Sequence, residues 1–175
     1  LQKCLKESSG FGIVAFIDKR ISDVRVYVKV SEVLKTYING EIDIVVLGLE
    51  RFLINSTSLH RDGYYVADTE TYSDESIIID PELVDELQTE FEEIAELANY
   101  KLEDAFWNNL KSSKLKSYKI AEKSGLSYEQ QQELLILKNE NERLNYLISY
   151  FTSIKTKVNG AGNLKRIIMN DGFLN

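Results

Sequence analysis

The segment VRVYVKVSEVLKTYINGEIDIVVLGLERFLI, from Val24 to Ile54, predicts two long strands that fold back on each other at Asn39-Gly40. Valine occupies every second position from Val24 to Val30, and this period of two places these side chains on one face of a sheet. The returning arm repeats the pattern with Ile42, Ile44 and Val46. Asn-Gly is the strongest short signal for a β-hairpin, because a type I′ turn needs φ > 0 at both central residues and these two residues tolerate it best.

The hairpin is predicted to be irregular at two points. The spacing of Val30 and Val33 breaks the alternation near Ser31-Glu32, which predicts a β-bulge there. Gly48 interrupts the returning arm and predicts either a bulge or a close approach of another backbone.

The rest of the chain changes from strand patterns to helix patterns at Asp80-Pro81. The segments from Phe11 to Ile17 and from Tyr64 to Tyr72 predict further strands, and the first is apolar enough to be a buried strand. Asp80 is a good N-cap, Pro81 suits the first helical position, and apolar residues then recur at spacings of three and four. This order predicts an α+β fold. Its parts are a β-rich lobe at residues 1–79, a helical lobe at residues 80–158 and a flexible tail at residues 159–175.

Composition limits the classes of protein to which the chain can belong. Its 175 residues, 43% of them hydrophobic, suffice for one ordinary domain or two small lobes with a real core. The net charge of −7 disfavours nucleic acid as a partner, because an acidic surface repels phosphates. No apolar run reaches the roughly 18 residues that a membrane helix needs, so no membrane partner is expected. The single cysteine, Cys4, excludes an internal disulfide and favours a reducing, cytoplasmic location.

Residues that commonly carry chemistry are sparse in this sequence. His60 is the only histidine and lies in a predicted polar loop, where a solvated side chain is preferred over a catalytic base or a zinc ligand. Cys4 lies on the apolar side of a helix fragment and is interpreted as a small buried hydrophobe. Gly160-Ala161-Gly162 follows a helix and lacks the Gly-Lys-Ser/Thr of a phosphate-binding loop. We therefore expect no cofactor, no metal and no catalytic residue.

Four short motifs resemble, in the same order, those of the amino-terminal substrate-binding domain of Lon-type ATP-dependent proteases. Cys4-Leu5-Lys6-Glu7 and Phe11-Gly12-Ile13-Val14 are similar to the family's opening C-L-x-x and F-G-I-V. The hairpin from Asn39 to Ile54 contains a G-x-x-x-I strand followed by G-hydrophobic-x-R-F-x-I, and Tyr64 to Glu70 resembles a Y-h-V-A-x-h-E strand, where h is hydrophobic. No single motif is unique, but together they follow the family's order over residues 4–70. The resemblance implies a twisted antiparallel β-lobe, PUA-like and forming a partly closed barrel, followed by a helical bundle.

The resemblance also implies a function. The chain would be a stand-alone bacterial domain that recognises substrates without the family's ATPase and peptidase modules, and hence would not be an enzyme. Its partners would be unfolded or damaged polypeptides, with a separate protease or chaperone as a further partner. Phe52, Tyr65 and Tyr72 are the candidate binding residues, because aromatic area on these strands can reach an exposed apolar surface near the junction of the lobes. The family opens with a proline-rich strand, and we expect that this front of the β-lobe is missing before Leu1.

A nucleic-acid-binding protein of the wider PUA-like class is the first alternative. It would use the five lysines from Lys111 to Lys123, which follow Trp107 and lie on either side of Tyr118 in the sequence. Aromatic rings that stack on bases, next to lysines that contact phosphates, are typical of such sites. Solvated surface lysines are the simpler interpretation of the same pattern.

A small hydrolase is the second alternative. It would use the carboxylates of Asp68, Glu70 and Asp74, which cluster near the end of a predicted strand. The larger run of eight acids and no base from Asp80 to Glu96 is interpreted as the solvated face of an amphipathic helix.

Overall fold

The computed structural model describes residues 1–17, 19–76 and 78–158 and divides them into two compact units. The β unit, Leu1–Ser73, holds the strands, and the helical unit begins at Asp74 and holds the long helices. The α+β class predicted from the sequence is confirmed. The division falls at Ser73-Asp74, a little before the change of sequence pattern at Asp80. The predicted tail, residues 159–175, lies outside the described residues.

The described residues of the β unit form one short helix and six strands. Helix α1 covers Gln2–Glu7, and the strands are β1 at Phe11–Ile13, β2 at Phe16–Ile17, β3 at Arg20–Ile21, β4 at Arg25–Thr36, β5 at Ile42–Leu59 and β6 at Tyr65–Thr71. One antiparallel sheet has the order β1-β4-β5-β6, and β2 pairs only with β3. Within the described ranges β1 and β6 do not pair with each other, so the sheet is open. The twisted antiparallel lobe is present as predicted, but the sheet is not closed into a barrel, since no pairing joins β1 to β6.

Strands β4 and β5 form the predicted hairpin, but the turn that joins them is of another type. Gly40 has a φ of +89°, whereas Asn39 is not among the described non-glycine residues with positive φ. The Gly40 N–H donates to the Tyr37 carbonyl (3.0 Å), and the Tyr37 N–H donates to the Glu41 carbonyl (2.8 Å). The loop thus has three residues, with Ile38 as the first, and only its glycine needs the left-handed conformation. The two-residue type I′ turn predicted from Asn-Gly is wrong for this reason.

The pairing of β4 with β5 shifts register at three points. One extra residue on β4 is Ser31, which confirms the predicted bulge, and another is Leu34. The extra residue on β5 is Leu49, next to Gly48, where a bulge was one of two predicted outcomes. Each extra residue moves the alternation of side chains by one position, so apolar residues of this hairpin reach both faces of the sheet.

The helices of the second unit begin close to the predicted capping residues. Helix α2 covers Pro81–Leu97, α3 Asp104–Ser112, α4 Lys116–Ala121, α5 Tyr128–Ile136 and α6 Glu140–Val158. Asp80 Oδ1 accepts a hydrogen bond from the Glu82 N–H (2.9 Å), and Ser127 with Gln130 forms the predicted capping box. Among the described residues, none of these helices is long and apolar enough to cross a lipid bilayer.

One apolar core holds the helical unit together. Helices α2 and α6 pack against each other, and Leu87 and Leu144 are fully buried in the core between the helices. The ring of Phe91 lies 5.6 Å from that of Phe151 and 5.7 Å from that of Phe106, measured between centroids. Truncating a buried ring of this kind to alanine costs about 3–5 kcal/mol, so this cluster is a main source of the unit's stability.

A buried ionic network fastens the start of the helical unit to its helices. Arg143 is fully buried, and its Nη1 and Nη2 donate to Asp74 Oδ1 (2.8 Å) and Oδ2 (2.6 Å). Its Nε donates to Glu140 Oε2 (3.0 Å), and Glu140 in turn accepts from the N–H and the hydroxyl of Ser117. Burial lowers the pKa of Arg143, but the hydrogen bonds to Asp74 and Glu140 outweigh burial and hold that pKa above its usual value.

Candidate functional site

Large apolar side chains are exposed along the β4–β5 hairpin. We call them the hairpin surface, which comprises Val33, Leu34, Ile38, Val45, Leu47 and Leu49. Leu47 is 59% exposed and Leu49 is 48% exposed. A group of exposed apolar side chains on one element is typical of a surface that binds another molecule, since single exposed residues are common but groups of them are not.

The order of the strands leaves this part of the hairpin without neighbours. Strand β1 pairs only with Val26 to Val28 of β4, and β6 pairs only with Phe52 to Leu59 of β5. Between these two paired regions, β4 and β5 contact each other in the sheet but no third strand. Within the described residues, no third strand pairs with either edge of the distal hairpin.

Polar groups near the tip hold the hairpin in one conformation. The Tyr37 hydroxyl donates to Asp43 Oδ2 (2.7 Å), and Lys35 Nζ lies 4.3 Å from the centroid of the Tyr37 ring. The hydrogen bond to Asp43 raises the pKa of Tyr37, so the hydroxyl stays protonated at neutral pH. Lys35 and Asp43 are also direct partners in the strand register. These contacts give the tip of the hairpin that carries the apolar side chains a defined conformation.

The three predicted binding residues lie in different environments. Phe52 is buried, and its ring lies so close to Gly12 that a Cβ atom there would be 2.7 Å from Phe52 Cζ. Tyr65 is 76% exposed at the start of β6. Tyr72 is half-buried, with the guanidinium of Arg51 5.1 Å from its ring centroid. Of the three, Tyr65 presents most of its side chain to solvent.

Sequence reasoning missed the hairpin surface itself. Leu34 and Leu49 are the extra residues of two bulges, and their exposure depends on pairing that the alternation does not reveal. The signal that was available is the run Val45-Val46-Leu47, because three consecutive apolar residues of a regular strand must use both faces. A strand that is apolar on both faces needs either two covered faces or a ligand.

Two of the five lysines of the nucleic-acid alternative are engaged in contacts within the helical unit. Lys119 pairs with Glu122 on the same helix. Lys116 Nζ donates to three backbone carbonyls at the end of α3, at distances of 2.6–2.7 Å; these belong to Leu110, Lys111 and Ser113. The ammonium of Lys116 therefore stabilises the carboxyl end of α3, as basic side chains commonly do at the last carbonyls of a helix.

The aromatic rings of that alternative are also occupied. Trp107 is half-buried and packs edge-on against Phe106, with the ring centroids 5.3 Å apart. The half-buried ring of Tyr118 lies beside the Arg143 guanidinium, which is 4.8 Å from its centroid. Part of each ring that would stack on a base is thus engaged in contacts within the helical unit.

The carboxylates of the hydrolase alternative have separate structural surroundings. Both oxygens of Asp74 accept hydrogen bonds from Arg143 within the helical unit. Asp68 and Glu70 are exposed on β6, and Asp68 Oδ2 accepts from Asn55 Nδ2 (3.4 Å). An acid–base pair needs two groups whose surroundings hold one protonated and the other ionised, and these contacts do not supply that arrangement.

His60 and Cys4 have local structural roles. The His60 ring stacks on Tyr64 with centroids 4.5 Å apart, and its Nδ1 accepts from the Asp62 N–H (3.2 Å) in the turn between β5 and β6. His60 is thus half-buried, not fully solvated as predicted. Cys4 is half-buried, and its Sγ donates to the Gly10 carbonyl (3.6 Å). Across the described ranges, no group of three or more His, Cys, Asp or Glu is placed to hold a metal ion.

Known proteins resemble the chain in sequence pattern and in fold. The sequence matches the family model described as "ATP-dependent protease La (LON) substrate-binding domain" over residues 2–153. The fold is similar to that of a Lon N-terminal domain protein from Xanthomonas campestris, with a TM-score of 0.59 and 19% identity over 85% of this chain and 80% of that chain. It is also similar to the N-terminal domain of a Mycobacterium avium complex Lon protease, with a TM-score of 0.54 and 16% identity over 82% of this chain and 91% of that chain. A comparison with curated proteins found no match.

Proposed function

This chain belongs to the ATP-dependent protease La (LON) substrate-binding domain family, and from that premise we propose that it binds unfolded or damaged polypeptides through the hairpin surface without cleaving them. The family's substrate-binding domain is a non-catalytic part of the protease, which supports a role in recognition. The contacts of Asp74 and His60 described above support the same view, because both groups are engaged in structural hydrogen bonds.

The exposure of aliphatic side chains on the distal hairpin is the observation that carries this proposal. Unfolded polypeptides expose apolar side chains that folded proteins bury, so an open aliphatic surface discriminates between the two. Covering roughly 300 Å² of such surface contributes about 7 kcal/mol at about 25 cal/mol per Å². Ordering the bound segment offsets part of this gain, so we expect a dissociation constant between about 10 μM and about 1 mM.

The aromatic residues predicted from the sequence enter this proposal in different ways. We propose Tyr65 as a direct contact, because it is exposed on β6 and its ring can bury apolar area at low entropic cost. Phe52 would act indirectly, by packing beneath Gly12 and fixing the sheet. Tyr72 would act in the same way through its contact with Arg51.

The proposal is tested by measuring binding of a permanently unfolded protein. Ribonuclease A that has been reduced and blocked with iodoacetamide is the probe, and native ribonuclease A is the folded comparison. We expect fluorescence anisotropy to detect binding of the unfolded form only. Equal affinity for both forms, or no binding of either, would contradict the proposal.

A matched pair of double variants locates the binding surface. Leu47→Ser with Leu49→Ser removes exposed leucines of the hairpin, and we expect the dissociation constant to rise about tenfold. Leu97→Ser with Ile136→Ser removes residues that are 51% and 43% exposed in the helical unit, and we expect a change of less than about twofold. Equal effects of the two variants would remove the hairpin surface from the proposal.

A chain that binds polypeptides without cleaving them has to pass them on. We therefore propose a separate protease or chaperone as a further partner. Mass spectrometry of the unfolded ribonuclease after long incubation with this chain alone should show the intact probe. Fragments that appear with a rate proportional to the concentration of this chain would refute the non-catalytic assignment.

A further inference from the structure

The two long edges of the distal hairpin differ in how well they are protected against pairing with another strand. The β4 edge carries Lys29 and Lys35 and contains the bulges at Ser31 and Leu34. Lysines and bulges are the devices by which proteins discourage addition of a strand at an open edge. The β5 edge has neither device, because every residue from Ile42 to Gly48 pairs with β4 in turn and none of them is basic or proline.

Two hydrogen bonds show which backbone groups of β5 face the open edge. The Val45 carbonyl accepts from the Ser31 hydroxyl (3.2 Å), and the Glu41 carbonyl accepts from the Tyr37 N–H (2.8 Å), so both carbonyls face β4. The N–H and C=O of one residue in an antiparallel strand point to the same side, and this side alternates along the strand. The backbone groups of Ile42, Ile44 and Val46 therefore point away from β4, toward the edge on which β6 pairs further along β5. In the described residues no strand occupies this part of the edge.

We infer that an extended polypeptide segment adds to the sheet as a further strand along β5 from Ile42 to Gly48, in line with β6. This inference rests on the proposed function and specifies how the segment is held. Backbone hydrogen bonds to Ile42, Ile44 and Val46 bind the main chain of the segment whatever its sequence. The neighbouring apolar side chains then select segments in which every second residue is apolar.

The charges of β5 favour an unfolded basic segment over a second copy of this chain as the occupant. From Glu41 to Glu50 the ionisable residues are Glu41, Asp43 and Glu50, with no base among them. Pairing of two β5 edges would bring these acids together in two chains that each carry a net charge of −7. Like charges on adjacent strands destabilise the pair, whereas lysines or arginines of a foreign segment would be attracted.

Two synthetic peptides test the selectivity. A ten-residue peptide of alternating valine and lysine places its apolar side chains on one face and its charges on the other, and alternating valine and glutamate gives the same shape with opposite charge. We expect the lysine peptide to bind at least about tenfold more tightly at low salt, with the advantage shrinking as salt is added. Equal binding, or tighter binding of the glutamate peptide, would overturn the charge argument and with it the choice of occupant.

Two substitutions at one position separate the backbone from the side chain. Ile44→Ala removes the side chain and keeps the outward N–H, whereas Ile44→Pro removes both, and proline is tolerated where the N–H faces an open edge. We expect Ile44→Pro to bind the lysine peptide about tenfold more weakly than Ile44→Ala, a difference of about 1.4 kcal/mol. Circular dichroism establishes that both variants retain the fold of the parent.

Hydrogen exchange on the unaltered protein gives a test that does not depend on the folding of a variant. We expect the amides of Ile42, Ile44 and Val46 to exchange rapidly in the free protein and to become protected when the lysine peptide binds. One result would overturn strand addition but not the proposed function. In it, unfolded ribonuclease and the lysine peptide both bind while these amides stay exposed, and Ile44→Pro binds the peptide as tightly as Ile44→Ala does. No binding of either probe would overturn both. Amides that are already protected in the free protein would show that the chain itself covers this edge. A dimer that Ile44→Pro abolishes would show that a second copy covers it. Either result would overturn the inference.

Discussion

Replacing Arg143 with methionine should destabilise the helical unit strongly. Methionine retains much of the apolar stem of arginine but removes the guanidinium that donates to Asp74, Glu140 and the Leu137 carbonyl. Glu140 is 1% exposed and keeps only its hydrogen bonds from Ser117, so the variant buries an uncompensated carboxylate. Breaking one side of a buried ion pair costs about 3–5 kcal/mol, because the remaining charge is neither solvated nor paired.

Urea denaturation measures this cost. Trp107 is the only tryptophan and packs on Phe106 in the core of the helical unit, so its fluorescence reports the unfolding of that unit. With an m-value of about 1.5 kcal/mol per M, a loss of about 4 kcal/mol lowers the midpoint by more than about 2 M. Adding Glu140→Gln to Arg143→Met removes the stranded charge, and this double variant should regain part of the lost free energy.

Lys155→Met is the matched control for the loss of a cation. Lys155 Nζ lies 2.6 Å from Glu90 and 2.7 Å from Glu93, distances as short as those of Arg143, but Glu93 is largely solvated. We expect Lys155→Met to cost less than about 1 kcal/mol, as for other pairs that solvent reaches. If Arg143→Met costs no more than Lys155→Met, the reasoning from burial is refuted.

Two further predictions concern the turn of the hairpin and the response of stability to alkaline pH. Gly40→Ala should destabilise the hairpin by about 1 kcal/mol, because φ is +89° and an L side chain is strained there, although no neighbouring atom would clash with it. Gly40→Asn should destabilise it by less, because asparagine tolerates positive φ better. Hydrogen-exchange rates of the β4 amides measure both losses of stability. Burial raises the pKa of Tyr146 and that of Tyr150. The hydrogen bond that Tyr146 donates to Glu133 raises the pKa of Tyr146 further. The unfolded state therefore ionises first, and the free energy of unfolding should stay level up to about pH 10 and fall above it. Urea titrations across this range should show a shallower fall when both tyrosines are replaced by phenylalanine, and an unchanged slope would contradict the assignment.

Local signals in the sequence predicted most of the secondary structure. Asp80 and Ser127 begin helices as predicted, because a cap depends on residues two or three positions away. The apolar run from Phe11 to Ile17 was predicted to be one buried strand and is two short strands, with Phe16 70% exposed. An apolar composition indicates a tendency to form strands, but it does not specify a partner that covers them.

The candidate site was less accessible to sequence reasoning than the fold. Phe52 was predicted to be a binding residue because it is an aromatic residue on a predicted strand, but its side chain is buried against Gly12. The open β5 edge arises from where two other strands stop, since β1 reaches only to Val28 and β6 begins to pair at Phe52. Strand pairing of this kind joins residues far apart in the sequence, and no local pattern encodes where it ends.

The sequence by itself determined the order of elements, the hairpin between Val24 and Ile54 and the family to which its motifs point, because periodicity and capping act between near neighbours. Only the tertiary structure decided that the sheet stays open, that Leu47 and Leu49 are exposed and that Arg143 closes a buried network with Asp74. These features depend on which distant segments cover a side chain or a backbone edge. Burial and pairing are properties of the assembled chain, and they determine whether the same apolar strand is a core element or a binding surface.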